Sequence, residues 1–140
     1  MAEAPTCPAV ASAESAACEP GAPVAFLSFR FVLDGPFEAL YVYELQLEER
    51  AQRRGLGRHL MMTAELAARK LGMQVVLLTV LKANSGALAF YTAKMKYGVD
   101  EDSPSRCGVP DAAHEILSKV VDKAGHAAAL ALVEAGDIAQ

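Results

Sequence analysis

What this sequence lacks narrows its function first. None of its 140 residues falls in a hydrophobic run long enough for a membrane-spanning helix, so no segment is expected to cross a bilayer in that form. The three cysteines, Cys7, Cys18 and Cys107, stand far apart with no CxxC pair and no secretory signal. A disulfide framework or zinc site is therefore not expected, and ordinary free thiols in a reducing compartment are. His59, His114 and His126 have no metal-ligand spacing. Basic residues do not dominate: 13 Lys and Arg against 17 Asp and Glu leave a net charge of −4, which argues against general nucleic-acid binding. No Gly-Lys-Ser/Thr follows a glycine turn, so there is no P-loop, and the third glycine of a dinucleotide fingerprint is absent.

What is present reads as one α/β domain with a hydrophobic content of 53%, enough for a real core. Residues 1–21 are rich in Ala, Pro, Ser and Glu and contain no Lys or Arg, which predicts a disordered leader. The domain is expected over residues 22–121, followed by an Ala-rich tail, residues 122–140, that is either helical or loosely ordered. Val24 to Leu33 reads as a strand, closed by the turn Asp34-Gly35-Pro36. A hairpin then leads to a second strand, Leu40 to Leu47, whose alternation places Tyr41, Tyr43, Leu45 and Leu47 on one face and Leu40, Val42, Glu44 and Gln46 on the other. Helical periodicity runs from Gly57 to Leu71, with Gly72 as its stop. The apolar run VVLLTVL within Gln74 to Leu81 suits a central strand, parallel to its predecessor through a right-handed crossover. A helix from Ser85 to about Met95, capped by Asn84 or Ser85, a short strand at Tyr97 to Val99, and a strand at Glu115 to Val121 complete the pattern.

The stretch YVYELQLEERAQRRGLG, Tyr41 to Gly57, concentrates the chemistry. Its turn Gln52-Arg53-Arg54-Gly55-Leu56-Gly57 lets backbone approach a ligand closely and opens a helix, where unpaired N–H groups and the helix dipole favour an anion. Arg53, Arg54 and Arg58 add charge suited to a pyrophosphate. The alternative is a solvated strand-to-helix connection. Glu44 is a carboxylate among large apolar and aromatic neighbours. Partial burial there would suit a group that takes a proton from an amine; an edge position in water, or a pairing with an arginine, would make it structural.

Gln52-x-x-Gly55-x-Gly57 after a strand, then a helix, a buried strand, Asn84 and a helix bearing Ala87, Phe90 and Tyr91, resembles the GNAT superfamily of acetyl-CoA-dependent N-acetyltransferases. Within it, LLTVLKANSGALAFY, DSPS at Asp102 to Ser105 and HEILSK at His114 to Lys119 look like the N-terminal acetyltransferase D (NatD) group. The resemblance spans Ala22 to Lys119. It implies a mixed sheet flanked by helices, lacking the family's first strand and first helices, in which the Tyr41 to Leu47 strand parts from the next to form a V-shaped cleft. It further implies that Leu45, Gln46 and Leu47 hold the pantetheine of acetyl-CoA, that Gln52, Arg53, Arg54, Gly55, Leu56, Gly57 and Arg58 hold its pyrophosphate, and that Asn84 and Tyr91 line the same channel. Glu44 becomes the base and Tyr43 its neighbour at the thioester. Asp34, Tyr41 and His114 become substrate contacts, with Val32 at the family's peptide-holding aspartate position and His114 at a tyrosine position.

The implied acceptor is the N-terminal serine of histone H4-type proteins beginning Ser-Gly-Arg-Gly, with no metal, no direct nucleic-acid or membrane partner, a monomeric state, and a place in cytoplasm and nucleus. Two other readings stay open. One is a GNAT enzyme for another peptide or a small amine; the other is a shortened acetyl-CoA-binding module without catalysis.

Overall fold

The computed structural model describes residues 20–136. The expected leader lies outside them except for Pro20 and Gly21, as do Cys7, Cys18 and residues 137–140. Strand β1 (Ala25–Asp34) turns through Gly35, at φ 61°, into the antiparallel β2 (Phe37–Leu47). A 3₁₀ turn (Glu49–Ala51) leads to helix α1 (Leu56–Lys70), which crosses to β3 (Val75–Leu81), parallel to β2 as expected. Helix α2 (Ser85–Ala89) runs directly into a π-helical turn (Phe90–Lys94), followed by the two-residue β4 (Gly98–Val99), β5 (His114–Val120) and α3 (Lys123–Glu134). The sheet order is β1-β2-β3-β5-β4, antiparallel except at β2/β3.

Hydrophobic pattern explains the layers. β3 has no polar alternation to turn outward until Thr79, so it sits in the middle of the sheet with Val75, Val76, Leu77 and Leu78 buried from both sides. On one face, Leu40, Val42, Val76, Leu78, Val80 and Leu117 pack under Met61, Ala64 and Ala68 of α1, whose i, i+3, i+4, i+7 spacing presents a single buried stripe. Leu40 is fully buried, and truncating it to alanine would cost about 2–5 kcal/mol. On the other face, Ala39, Val75 and Leu77 gather Val32, Phe37, Tyr41 and Ile116. Helix α3 covers one end of that face, its His126 ring stacked on Phe37 at 4.3 Å and its first turn capped by Asp122, which accepts from the Gly125 N–H at 3.1 Å. The tail is thus helical over Lys123–Glu134. Among the described residues, no helix is long and apolar enough to cross a membrane.

Two local expectations need correction. Strict alternation along β2 fails at Tyr43: Ser28 pairs with Glu44 but Phe29 pairs with Val42, so Tyr43 is the extra residue of a β-bulge. The inserted residue shifts the parity. Leu45 joins Leu40 and Val42 in the core beneath the helices, and Leu47 meets α1 there, instead of sharing a face with Tyr41 and Tyr43. Second, the segment from Ser85 to Met95 is not one α-helix. The Met95 N–H bonds to the Phe90 carbonyl at 3.0 Å, five residues back, which widens the last turn into a π-helix.

Candidate functional site

The register of the two central strands creates the site. β2 and β3 pair from Ala39/Val75 to Val42/Leu78 and no further, although β2 continues to Leu47 and β3 to Leu81. Beyond Val42 the two part, as the V-shaped cleft required. A cavity of about 360 Å³ fills the gap, lined by Val42 to Gln46, Leu78 to Leu81, Asn84, Ala87 and Tyr91. Along this part of β2, alternate peptide groups turn away from β1 and toward the space where a neighbouring strand would pair. An extended ligand bearing amides can take that strand's place.

At the end of the cleft the chain makes its helix start. Gly55 caps α1 in the left-handed conformation, φ 84°, with Arg53 also at positive φ, 61°. No side chain caps the helix and its first turn has no acidic residue. The helix closes with the His59 N–H on the Gly55 carbonyl at 3.0 Å, so the N–H groups of Leu56, Gly57 and Arg58 have no intrahelical acceptor. Arg53, Arg54 and Arg58 are exposed around them. Gln52 donates to the Leu47 carbonyl at 3.2 Å, tying the turn to the strand end. A Cβ on Gly57 would lie 3.5 Å from the Phe90 ring and 3.8 and 3.9 Å from Leu45 and Leu47. The helix start, the strand end and the π turn therefore converge on one point, and what they offer there is an anion cradle next to a free strand edge.

The bulge decides what lies on each side of the cleft. Tyr43 turns to the face of Tyr41: their rings meet edge to face at 5.4 Å, and the Arg30 guanidinium lies 5.1 Å from the Tyr43 ring centre. Glu44, half-buried and paired in register with Ser28, shares this open face with Gln46, whose amide approaches its carboxylate at 3.4 Å. The Tyr41 hydroxyl bonds to that of Thr79, the first residue of β3 past the paired stretch, and so stitches the vertex of the cleft. On the helix side stands Tyr91. Burial pushes its phenol pKa upward, so the hydroxyl keeps its proton at neutral pH, and among the described residues no hydrogen-bond partner engages it. Asn84 lines the cavity while its Oδ1 accepts from the Ala87 N–H at 3.1 Å, which identifies it as the cap of α2.

The expected site residues thus separate into groups. Tyr43, Glu44, Leu45, Gln46, Asn84 and Tyr91 line the cavity; Gln52 to Arg58 form the adjoining helix start, with Leu47 between. His114 stands opposite Leu81 in register, beside the cleft, and Tyr41 closes its vertex. Asp34 does not line the cavity. It clusters with Asp100 and Asp102, their carboxylates within 4.8 Å of one another, and burial together with those two charges raises its pKa. Thr79 and Leu81 are cavity residues that the sequence did not single out; the abrupt end of pairing after Leu78 is a tertiary fact with no sequence signal.

The DSPS segment acts as an anchor. Ser103 is fully buried; its hydroxyl donates to the Glu115 carboxylate and accepts from the Ile116 N–H at 2.9 Å, while Ser105 donates to Glu115 at 2.7 Å. Those hydroxyls, with Lys82 at 4.0 Å, hold the Glu115 carboxyl below the usual carboxylate range. The loop between β4 and β5 is therefore fastened to β5 just after His114.

Comparison with known proteins places this geometry. A model of the Acetyltransferase (GNAT) family matches residues 3–97. Among solved structures, the fold is similar to the PaiA N-acetyltransferase from Thermoplasma acidophilum in complex with coenzyme A, at 21% identity and TM-score 0.55 over 69% of this chain and 53% of that one. It is similar to Ard1 from Thermoplasma volcanium at 22% identity and TM-score 0.58, over 72% and 65% of the two chains. It is also similar to Arabidopsis thaliana Naa50 in complex with the bisubstrate analogue CoA-Ac-MVNAL, at 18% identity and TM-score 0.55, over 69% and 64%. The chain spans between 53% and 65% of the length of these three structures.

Proposed function

The chain belongs to the acetyltransferase (GNAT) family, and from that premise we propose that it moves an acetyl group from acetyl-CoA to the α-amine of a protein N-terminus. The observation that carries this reading is the parting of β2 from β3 beside an uncapped helix start. The free edge at Leu45 to Leu47 fits the amides of a pantetheine arm, and the N–H groups of Leu56, Gly57 and Arg58, with Arg53 and Arg54, fit its pyrophosphate. Solved structures of similar fold in complex with coenzyme A and with the bisubstrate analogue CoA-Ac-MVNAL support a coenzyme A-dependent reading of the cleft.

Acetyl-CoA, as co-substrate, supplies the activated thioester. Glu44 accepts a proton from the incoming amine, directly or through water, as the new C–N bond forms. Peptide N–H groups at the bulge are available to the carbonyl oxygen as negative charge develops there. Tyr91, protonated on the opposite wall, can donate to the sulfur as the C–S bond breaks. Tyr43 bounds the reacting centre on the acceptor side, with Tyr41 and His114 further along the same face.

For the acceptor we propose a histone H4-type N-terminus, Ser-Gly-Arg-Gly, as in the NatD group, with the enzyme acting as a monomer in cytoplasm and nucleus. The acidic cluster of Asp34, Asp100 and Asp102 supports a basic peptide. The full chain, with radiolabelled acetyl-CoA, is to be assayed against Ser-Gly-Arg-Gly-Lys, an acidic N-terminal peptide and a panel of small amines. Label on the first peptide's α-amine is the expected result. Transfer only to other amines would replace the acceptor, and acetyl-CoA binding without transfer to any would leave a binding module.

A further inference from the structure

Away from the cleft, a buried charged group joins three elements. Glu65, on α1, is only 4% exposed. One carboxylate oxygen accepts from Lys119 Nζ of β5 at 3.1 Å, the other from the Tyr97 hydroxyl at 2.9 Å. Lys119 also donates to the Met95 carbonyl at 3.0 Å, and its Nζ lies 5.5 Å from the Tyr97 ring centre. Met95 ends the π turn that presents Phe90 and Tyr91.

The hydrogen bonds of that turn show what is being held. In a continued α-helix the Tyr91 carbonyl would accept the Met95 N–H. Here it accepts the Tyr97 N–H at 2.9 Å, while the Met95 N–H reaches back to Phe90. A π turn is the rarer geometry and needs tertiary contacts to persist. Those contacts are supplied at its exit: Lys119 grips the Met95 carbonyl, and Glu65 grips the Tyr97 side chain whose own N–H occupies Tyr91. Reversion to α-helical spacing would shift the register by one residue and turn Tyr91 by roughly 100° about the helix axis.

We propose that Glu65, Tyr97 and Lys119 form a positioning unit that locks the π turn in register and so fixes Tyr91 as the helix-side wall of the cleft. Its consequence for catalysis rests on the acetyltransferase reading; the register lock itself does not. All three residues are outside the cavity lining.

The test uses the full chain carrying tyrosines labelled with ¹³C at Cζ, which should give one signal for each of Tyr41, Tyr43, Tyr91 and Tyr97. Lys119→Met alone would strand a buried carboxylate and risks unfolding. The pair Glu65→Gln with Lys119→Met removes both charges and keeps an acceptor for Tyr97. In this double variant the Tyr91 and Tyr97 signals should move while those of Tyr41 and Tyr43 stay, and the Kd for acetyl-CoA should rise on the order of tenfold. Lys119→Arg with Glu65 intact, which keeps a donor for Met95 and Glu65, should leave both readouts as in the wild type. A Tyr91 signal that stays in place in the folded double variant overturns the lock. A moved Tyr91 with unchanged acetyl-CoA affinity overturns its role in the site. A wild-type chain that binds no acetyl-CoA would instead overturn the functional reading, and the tyrosine signals would still decide the lock.

Discussion

Replacing Gly57 by alanine should make the protein more stable and a worse binder of acetyl-CoA, a combination that few other readings of this site produce. Gly57 lies in the first turn of α1, in ordinary helical conformation, so alanine gains about 0.5–1 kcal/mol from helix propensity. The added methyl would sit 3.5 Å from the Phe90 ring and 3.8 and 3.9 Å from Leu45 and Leu47, which is van der Waals contact without a clash. For a domain of this size the gain corresponds to a melting temperature higher by roughly 2–5 °C. The same methyl stands where strand end, helix start and π turn converge, and it would keep a phosphate from the N–H groups there. Losing one charge-assisted hydrogen bond costs about 1.5–3 kcal/mol, roughly a tenfold to hundredfold rise in Kd. Gly55→Ala is the contrasting control. Nothing lies within 4 Å of its added Cβ, but φ is +84°, so about 1–2 kcal/mol of stability should be lost to backbone strain. Thermal denaturation and titration calorimetry with acetyl-CoA read both quantities. A stabilised Gly57→Ala protein that binds acetyl-CoA as tightly as wild type would refute the placement of the pyrophosphate at this helix start.

Glu44→Gln should lower turnover by about 10²–10⁴-fold while acetyl-CoA binding survives, since the side chain is asked only to take a proton; unchanged turnover removes it from the mechanism. Two acidic groups should respond to pH in opposite senses. Glu115 is held below 4.5 by Ser103 and Ser105, so its contribution to stability is complete above that value and is lost as pH falls through its lowered folded-state pKa. Asp34 is raised above 3.8 by burial and by Asp100 and Asp102, so its contribution is present below 3.8 and lost as pH rises through its folded-state pKa. Asp34→Asn should therefore stabilise the protein at pH 7 by less than about 1 kcal/mol and change nothing below that window, whereas Glu115→Gln should destabilise it at pH 7. Denaturant titrations at several pH values check both. Ser103→Ala should cost about 1–3 kcal/mol, because it leaves the half-buried Ile116 N–H and the Glu115 carboxylate short of a partner, and should speed tryptic cleavage at Arg106 in the loop it anchors.

Much of this could be read from residue pattern because the signals are local. Helical periodicity from Met61 to Ala68, the uninterrupted VVLLTVL and the turn at Gly35 depend on neighbours within a few residues, and they located α1, β3 and the hairpin. The glycine turn at Gly55 announced a helix start for the same reason. Alternation in β2 misled at Tyr43 because a bulge is a property of a strand pair: whether one residue of β1 faces one or two of β2 is not written in β2 alone. The π turn escaped notice likewise, since α-helical and π-helical spacing use the same residues and the contacts at its exit come from Lys119 and Glu65, 24 and 32 positions away from Met95 and Tyr97. Asp34 showed only a turn residue; its neighbours Asp100 and Asp102 arrive from the loop after β4.

By itself, then, the sequence determined the order and kind of the main elements and the anion-ready turn at Gln52 to Arg58, since short-range sterics and hydrogen bonding set these. Only the tertiary structure decided that pairing of β2 with β3 ends at Val42 and Leu78, that Glu44 and Tyr43 face one side of the opening while Leu45 and Tyr91 face the other, and that Lys119, paired with the buried Glu65, bonds to the end of the turn bearing Tyr91. Each of these depends on where distant segments stop touching, and that is settled by packing across the whole sheet.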